Sequence, residues 1–255
     1  MKFGVCSSKF ELVKSLGFGY TELSLSSIAG MSDGDFEKML AELESSQLRA
    51  EALNGFCRSD LKLSQDIDLE AIKAYSERAL ERASRLGARV VVVGSGSARQ
   101  LSDGYPVETA EENFKNALCA IADVAARYGI KVAIEPLNVY DCNFINTLAD
   151  AAKICKAAKR ENLGIIADIY HMHRNGEAIS EIIKYGEQIM HVHIARMNDD
   201  RGAPTLADAE MMKKVLAALD EIGYDGRASL EASCKPDFDT AAGNYAELLK
   251  HLGVM

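Results

Sequence analysis

Short apolar, β-branched runs alternate with longer stretches of helical periodicity from one end of the chain to the other. Repeated βα units feeding a parallel sheet give that pattern. Eight strands are expected, at residues 2–6, 20–23, 49–53, 89–93, 131–135, 164–168, 190–194 and 228–231. The VVVV run at 90–93 is the clearest, because an uninterrupted β-branched run suits a strand covered on both faces. Amphipathic helices are expected at 68–86, 108–128, 148–158, 208–222 and 240–252. Thr147 stands where an N-cap would, and Gly87, Gly129 and Gly223 each follow a helical stretch as a C-terminal stop does.

Eight consecutive βα units in a chain of 255 residues match the arithmetic of a (β/α)8 barrel. A doubly wound open sheet would want a glycine-rich phosphate turn after its first strand, and VCSSKF offers none. No Pro/Ser-rich linker or charge run divides the chain, since SGSARQLSDGYP at 95–106 reads as a loop after a strand. One barrel domain over residues 1–255 is therefore expected. The barrel also predicts that chemistry sits at the C-terminal ends of its strands.

Composition narrows the function classes. The 29 Lys and Arg against 38 Asp and Glu leave a net charge of −9, which disfavours general attraction to nucleic acid or anionic membrane. No run has the length of a membrane span or the apolar core of a signal peptide, so a cytoplasmic protein is expected. The six cysteines form no CxxC pair and read as reduced thiols. Cys57, Cys142 and Cys234 fall near strand ends, where packing is the simplest role.

Four successive strands close on a residue that binds metals: strand five on Glu135, six on Asp168, seven on His193 and eight on Glu231. Taken singly, an acid at a strand end is an N-cap or a surface charge, and a lone histidine is a satisfied core group. Four ligand types at equivalent positions of adjacent staves would need four separate accidents. Three carboxylates with one imidazole suit Mn²⁺ first, or Mg²⁺, and accept Co²⁺ or Zn²⁺. His191 shares a strand face with His193 and reads as a supporting or packing histidine. Glu22, at the end of strand two, reads either as pocket-lining or as half of a structural ion pair.

The segments EPLNVYDCNFINTL (135–148), ADIYHM (167–172), HVHIA (191–195) and LEA (230–232), with YTEL (20–23) and VVVGSGSAR (91–99), resemble the xylose-isomerase-like barrels. Within these, the chain is most similar to the sugar (phosphate) isomerases and epimerases that include tagatose and allulose (psicose) 3-epimerase-like and hydroxypyruvate isomerase-like enzymes. The resemblance implies that Glu135, Asp168, His193 and Glu231 hold one divalent metal, with Glu135 and Glu231 as the catalytic acid/base pair. It matches His171 to a substrate-binding histidine and marks Asn138 as a site-lining candidate. Two departures touch the substrate. Asp141 stands where relatives carry a glutamate, and Asn198 is followed by Asp199 and Asp200 before Arg201 instead of directly by an arginine. Arg201, Arg196 or Arg99 would then clamp substrate, or all three are solvated surface residues.

The expected activity is metal-dependent isomerisation or epimerisation of a ketose or related small hydroxycarbonyl compound. A lyase or dehydratase on the same scaffold differs only in product. An endonuclease IV-like nuclease would need extra histidine ligands and a basic face, against five histidines and an acidic chain. A sugar-binding subunit without turnover is the non-enzymatic reading. The partner expected is a small sugar, neither nucleic acid nor membrane, with homo-oligomerisation left open.

Overall fold

Val90–Val93 is buried at all four positions, as a strand covered on both faces requires. The computed structural model describes residues 1–255. The strands are β1 Lys2–Cys6, β2 Tyr20–Ser24, β3 Ala50–Asn54, β4 Val90–Val93, β5 Lys131–Ile134, β6 Leu163–Asp168, β7 Ile189–Ile194 and β8 Arg227–Leu230. They close in chain order into one parallel barrel, with β8 paired back onto β1 from Lys2–Arg227 to Val5–Leu230. Closure leaves no open edge. The architecture is the eight-stranded barrel with surrounding helices that the alternating pattern predicted.

Each strand lies within a residue of its expected bounds, and three of the small differences bear on the site. β5 and β8 stop at Ile134 and Leu230, so Glu135 and Glu231 stand one residue beyond the named strands. Their N–H groups still donate to the Val93 and Ile194 carbonyls, at 3.2 and 3.1 Å, which holds both backbones in line with their neighbours. β3 runs one residue further than expected and brings Asn54 to the barrel mouth.

The helices on the outer face are α1 Phe10–Ser15, α2 Leu25–Gly30, α3 Asp33–Ser45, α4 Leu69–Leu86, α5 Gly96–Arg99, α6 Val107–Ala126, α7 Leu148–Ala158, α8 Ile169–Arg174, α9 Ser180–Lys184, α10 Ala209–Glu221 and α11 Phe238–His251. The expected five are α4, α6, α7, α10 and α11. The pattern also contained α3, whose Phe36, Leu40 and Leu43 bury one face behind the Ser32 cap. The remaining helices are six residues or shorter, too brief to show a helical period, and α5 turns part of the expected 95–106 loop into a helix. Thr147 caps α7 in a reciprocal box with Asp150, and Gly87 ends α4 with a φ of +91°.

Apolar packing divides into two bodies. The larger lies between the barrel and its helices, while a smaller one, of Tyr20, Ala52, Val90, Val92, Ala133 and Ile166, is separate from it and packs with Met190. These six stand on the barrel's inner face. Tyr20 spans this interior to reach the Ser229 hydroxyl at 2.7 Å, and it passes so close to Gly4 that a Cβ there would stand 2.5 Å from the ring. The interior is thus a filled core, and the strand-end acids stand above it at the C-terminal mouth.

Candidate functional site

The side chains of Glu135, Asp168, His193 and Glu231 converge at that mouth, with one ligand atom from each lying within 4.8 Å of all the others. His193 Nδ1 stands at the centre, 3.2 Å from Glu135, 3.5 Å from Asp168 and 3.0 Å from Glu231. Asp168 divides its oxygens between two tasks. One accepts the His171 N–H at 2.9 Å, capping α8, and the other faces the cluster. Glu135 stands where it does because residue 94 is glycine: a Cβ there would fall 1.9 Å from its Oε2.

Glu22 lies one layer deeper than the four ligand candidates. Its side chain is wholly buried, and its two oxygens face His191 Nε2 and His193 Nε2, each at 2.9 Å. A carboxylate on Nε2 holds that proton and directs the Nδ1 lone pair of His193 toward the other acids. Both Glu22 oxygens are thus taken by imidazoles, and the residue also lines a cavity between the ends of β1–β3 and helices α2 and α3. His191 is the supporting histidine expected, although its Nδ1 is buried without a partner.

Charge in the cluster is finely opposed. Burial alone would raise the Asp168 carboxyl, but His171, His193 and Arg201 outweigh it and hold the group well below the usual carboxylate range. Glu231 is likewise lowered despite its burial, by His193 and Arg201. Burial works to lower His193, yet the Glu231 and Glu22 carboxylates drive it well above the ordinary imidazole value. A proton at Nδ1 and a divalent cation answer the same need, positive charge among three carboxylates. The donor set fits a metal on those grounds: oxygen-rich, buried, with one imidazole nitrogen already aimed by its neighbour. Burial, reinforced by Glu22 and Glu231, pushes the Cys6 thiol well above its usual range, and its sulfur lies beside His193 and Glu231.

The expected substrate residues surround this group. His171 Nδ1 accepts from the Asn138 backbone N–H at 3.1 Å and lies 2.8 Å from its amide nitrogen, which places the ring proton on Nε2. That Nε2 stands 4.0 Å from both Glu135 and Asp168, facing the site. Asn138 in turn donates to Asp141 at 2.7 Å, while Asp141 itself is half exposed at the rim. Of the three arginines, Arg201 enters the mouth: it pairs with Asp168 at 3.0 Å and with Glu231, and packs over the Tyr170 ring. Its φ of +51° is the left-handed turn that sends the side chain back over the barrel. Arg196 pairs outside with Asp208 at 3.2 Å. Arg99 is neither a clamp nor a surface residue: it is fully buried beneath the mouth and donates to the Glu135 carbonyl at 2.6 Å, because a short helix folds its loop inward.

Two residues of the site escaped the sequence. Asn54 donates to Glu231 Oε1 at 2.6 Å, fixing one face of that carboxylate. The strand-end rule would have found it had strand three been drawn one residue longer. Gly94 had no signal beyond a glycine following VVVV.

Comparison with known proteins extends these observations. The chain is 25% identical over 237 residues to D-psicose 3-epimerase of Agrobacterium fabrum, covering 90% of this chain and 81% of that one. It is 32% identical over 141 residues to ketose 3-epimerase of Arthrobacter globiformis, covering 53% and 48%. Against that and other curated relatives the match spans about half of their length, 44% for the inosose isomerase of Halalkalibacterium halodurans. Among solved structures, 3-keto-D-glucoside 4-epimerase from E. coli superposes with a TM-score of 0.81 at 22% identity over 100% of both chains, a likeness of fold. No helix is long and apolar enough to cross a membrane. A model of the xylose isomerase-like TIM barrel matches residues 10–253, and the chain belongs to that family.

Proposed function

We propose that this protein is a divalent-metal-dependent epimerase or isomerase that moves a proton at a carbon beside the carbonyl of a ketose or related small hydroxycarbonyl compound. One observation carries the reading: two glutamates from staves three apart, Glu135 and Glu231, flank a single buried cluster with Asp168 and His193. A cation bound there, Mn²⁺ in the first instance, supplies Lewis-acid compensation for the negative charge that develops on the substrate's oxygens. Glu135, Asp168, His193 and Glu231 would hold it.

The protein's own groups do the rest. Glu135 is held by the backbone from Arg99 and by the space Gly94 leaves, and Glu231 is held by Asn54. Either carboxylate takes the proton from one face of the carbon, and the other returns one to the opposite face for epimerisation, or to the adjacent carbon for isomerisation. His171 presents its Nε2–H to a substrate oxygen, and Arg201 reorients toward substrate hydroxyls from its place at the mouth. The relatives' names, epimerases and isomerases of sugars, support the same chemistry.

The test is proton nuclear magnetic resonance in D₂O with the metal-loaded protein and a panel of ketoses, reading label uptake at each carbon. Uptake beside the carbonyl, lost in both Glu135→Gln and Glu231→Gln, is expected. Uptake that survives both substitutions would remove the two-carboxylate mechanism, and a protein that gains nothing from Mn²⁺, Mg²⁺ or Co²⁺ would remove the metal.

A further inference from the structure

A cavity of about 560 Å³ opens at the far end of the barrel from the acid cluster. Its lining residues stand where strands begin: Arg89 just before β4, Lys131 first in β5, Ile189 first in β7 and Arg227 first in β8. Val90 and Met190 line it from the inner apolar body, so that body lies between this cavity and the mouth. Barrel chemistry belongs to the C-terminal strand ends, and the proposed reaction makes no use of this face.

The charge of the cavity runs against that of the chain. Three cations, Arg89, Lys131 and Arg227, line it against one acid, Asp225, in a protein whose net charge is −9. Strand alternation turns Lys131 inward with Ala133, and Arg227 inward with Ser229. Arg89 lies beside Lys131, whose backbone N–H donates to the Arg89 carbonyl at 2.9 Å.

Arg227 is held at both ends. Its guanidinium pairs with Glu51, at 2.6 Å from Nε and 2.5 Å from Nη2, and its backbone N–H donates to the Tyr224 hydroxyl at 3.0 Å. Glu51 also takes Lys2 at 2.6 Å, so this acid already serves two cations. Arg89 and Lys131 have no carboxylate within ion-pair distance. Cations gathered on one space without acids of their own are answered by an anion from solution. A lysine point charge beside an arginine fork suits phosphoryl and carboxylate oxygens. The space lies within the range of roughly 300–1,000 Å³ typical of small-molecule sites, enough for a ligand with more than one acidic group.

We propose that this end of the barrel is a second binding site, for a small multivalent oxyanion carrying phosphoryl or carboxylate groups. Lys131 and Arg89 are its principal contacts, and Arg227 is positioned for it by Glu51. Binding here is independent of the reaction at the mouth.

The test is nuclear magnetic resonance of the protein labelled with ¹⁵N-glycine. It is titrated with pyrophosphate and with tricarballylate, against sodium chloride of equal ionic strength and without added metal. The amides of Gly129, Gly186, Gly223 and Gly226, which line the cavity, should shift to saturation, while Gly94 and Gly202 at the mouth stay in place. Lys131→Met and Arg89→Ala should each weaken binding about tenfold, as loss of one charged hydrogen bond does. Lys38→Met removes the same charge from the exposed face of α3 and should change Kd by less than about twofold. Tighter binding of pyrophosphate identifies the ligand as phosphorylated, and tighter binding of tricarballylate identifies a polycarboxylate; either result supports the site. Three results would overturn it: shifts no larger than those from chloride, shifts centred on Gly94 and Gly202, or a Kd that Lys131→Met and Arg89→Ala alter no more than Lys38→Met does.

Discussion

Glu22 shows what a single buried carboxylate does when both of its oxygens are committed. Each accepts from an imidazole at 2.9 Å, so the His193 ring has one orientation and one free nitrogen. Glu22→Gln keeps the shape but offers one acceptor and one amide donor to two N–H groups, so one histidine must flip its tautomer or lose its bond. Loss of such an outer partner typically weakens metal binding by about 10–100-fold. Mn²⁺ titration calorimetry on Glu22→Gln should show that loss, and an unchanged Kd would reduce Glu22 to packing. Gly94 is the complementary case, a residue whose contribution is empty space. Gly94→Ala would put a Cβ 1.9 Å from Glu135 Oε2, so the carboxylate must move. A displacement of about 1 Å costs on the order of 100-fold in rate. Solvent exchange should fall by that order while the thermal melt stays near that of the parent, and parental exchange rates would show that Glu135 tolerates the shift.

At the scale of elements, what could be read from the chain followed the length of the period. Strands were legible because β-branched runs and the glycines after helices punctuate them, and the four ligand candidates were legible because they close strands. The short helices carried no period, and with them went the inward fold of Arg99 and the position of Asn54 at the end of a longer β3. Supports such as Glu22 on His193 join residues 171 apart in sequence, a pairing only barrel closure creates. The start of α7 offers a further test. Beside the Thr147 cap, Glu177 Oε1 accepts the Leu148 N–H at 3.0 Å, and its other oxygen is buried without a partner. Burial, with Glu181 and Asp150 nearby, pushes the carboxyl up to about 7. A raised carboxyl binds its proton more tightly in the folded state, so its contribution is complete below the ordinary glutamate range and is lost as pH rises through about 7. The site is partly open to solvent, and screening leaves an effect on the order of 1–2 kcal/mol. Glu177→Gln keeps the acceptor without the charge. Its melting temperature should therefore fall less than the parent's between pH 5.5 and 8.5, by a few degrees at roughly 2–4 °C per kcal/mol. Parallel pH profiles would show that Glu177 titrates alike folded and unfolded.

For the whole molecule, closure gathers like charge at one point. Glu135, Asp168 and Glu231 follow or end β5, β6 and β8, while Cys6 ends β1, Glu22 stands within β2, Asn54 ends β3 and Gly94 follows β4, so every stave but β7 places an acid or a neighbour of one at the cluster, and β7 contributes the imidazole. Three of the acids behind the net charge of −9 are gathered here. A cation that binds only the closed barrel stabilises all of it through mass action, because no unfolded chain presents these four donors together. At a free Mn²⁺ concentration of about 100 times Kd, the gain is roughly 2.7 kcal/mol. For a chain of this length that is a rise in melting temperature of about 5–10 °C, reversed by a chelator. Asp168→Asn isolates the cause, since its amide oxygen still accepts the His171 N–H that caps α8 while the negative charge is gone. That variant should fold with α8 intact and lose most of the metal-induced rise. A rise of equal size in Asp168→Asn would place the cation elsewhere on the acidic surface, and no rise in the parent protein would leave the cluster as an ion-pair network completed by Arg201 and His193.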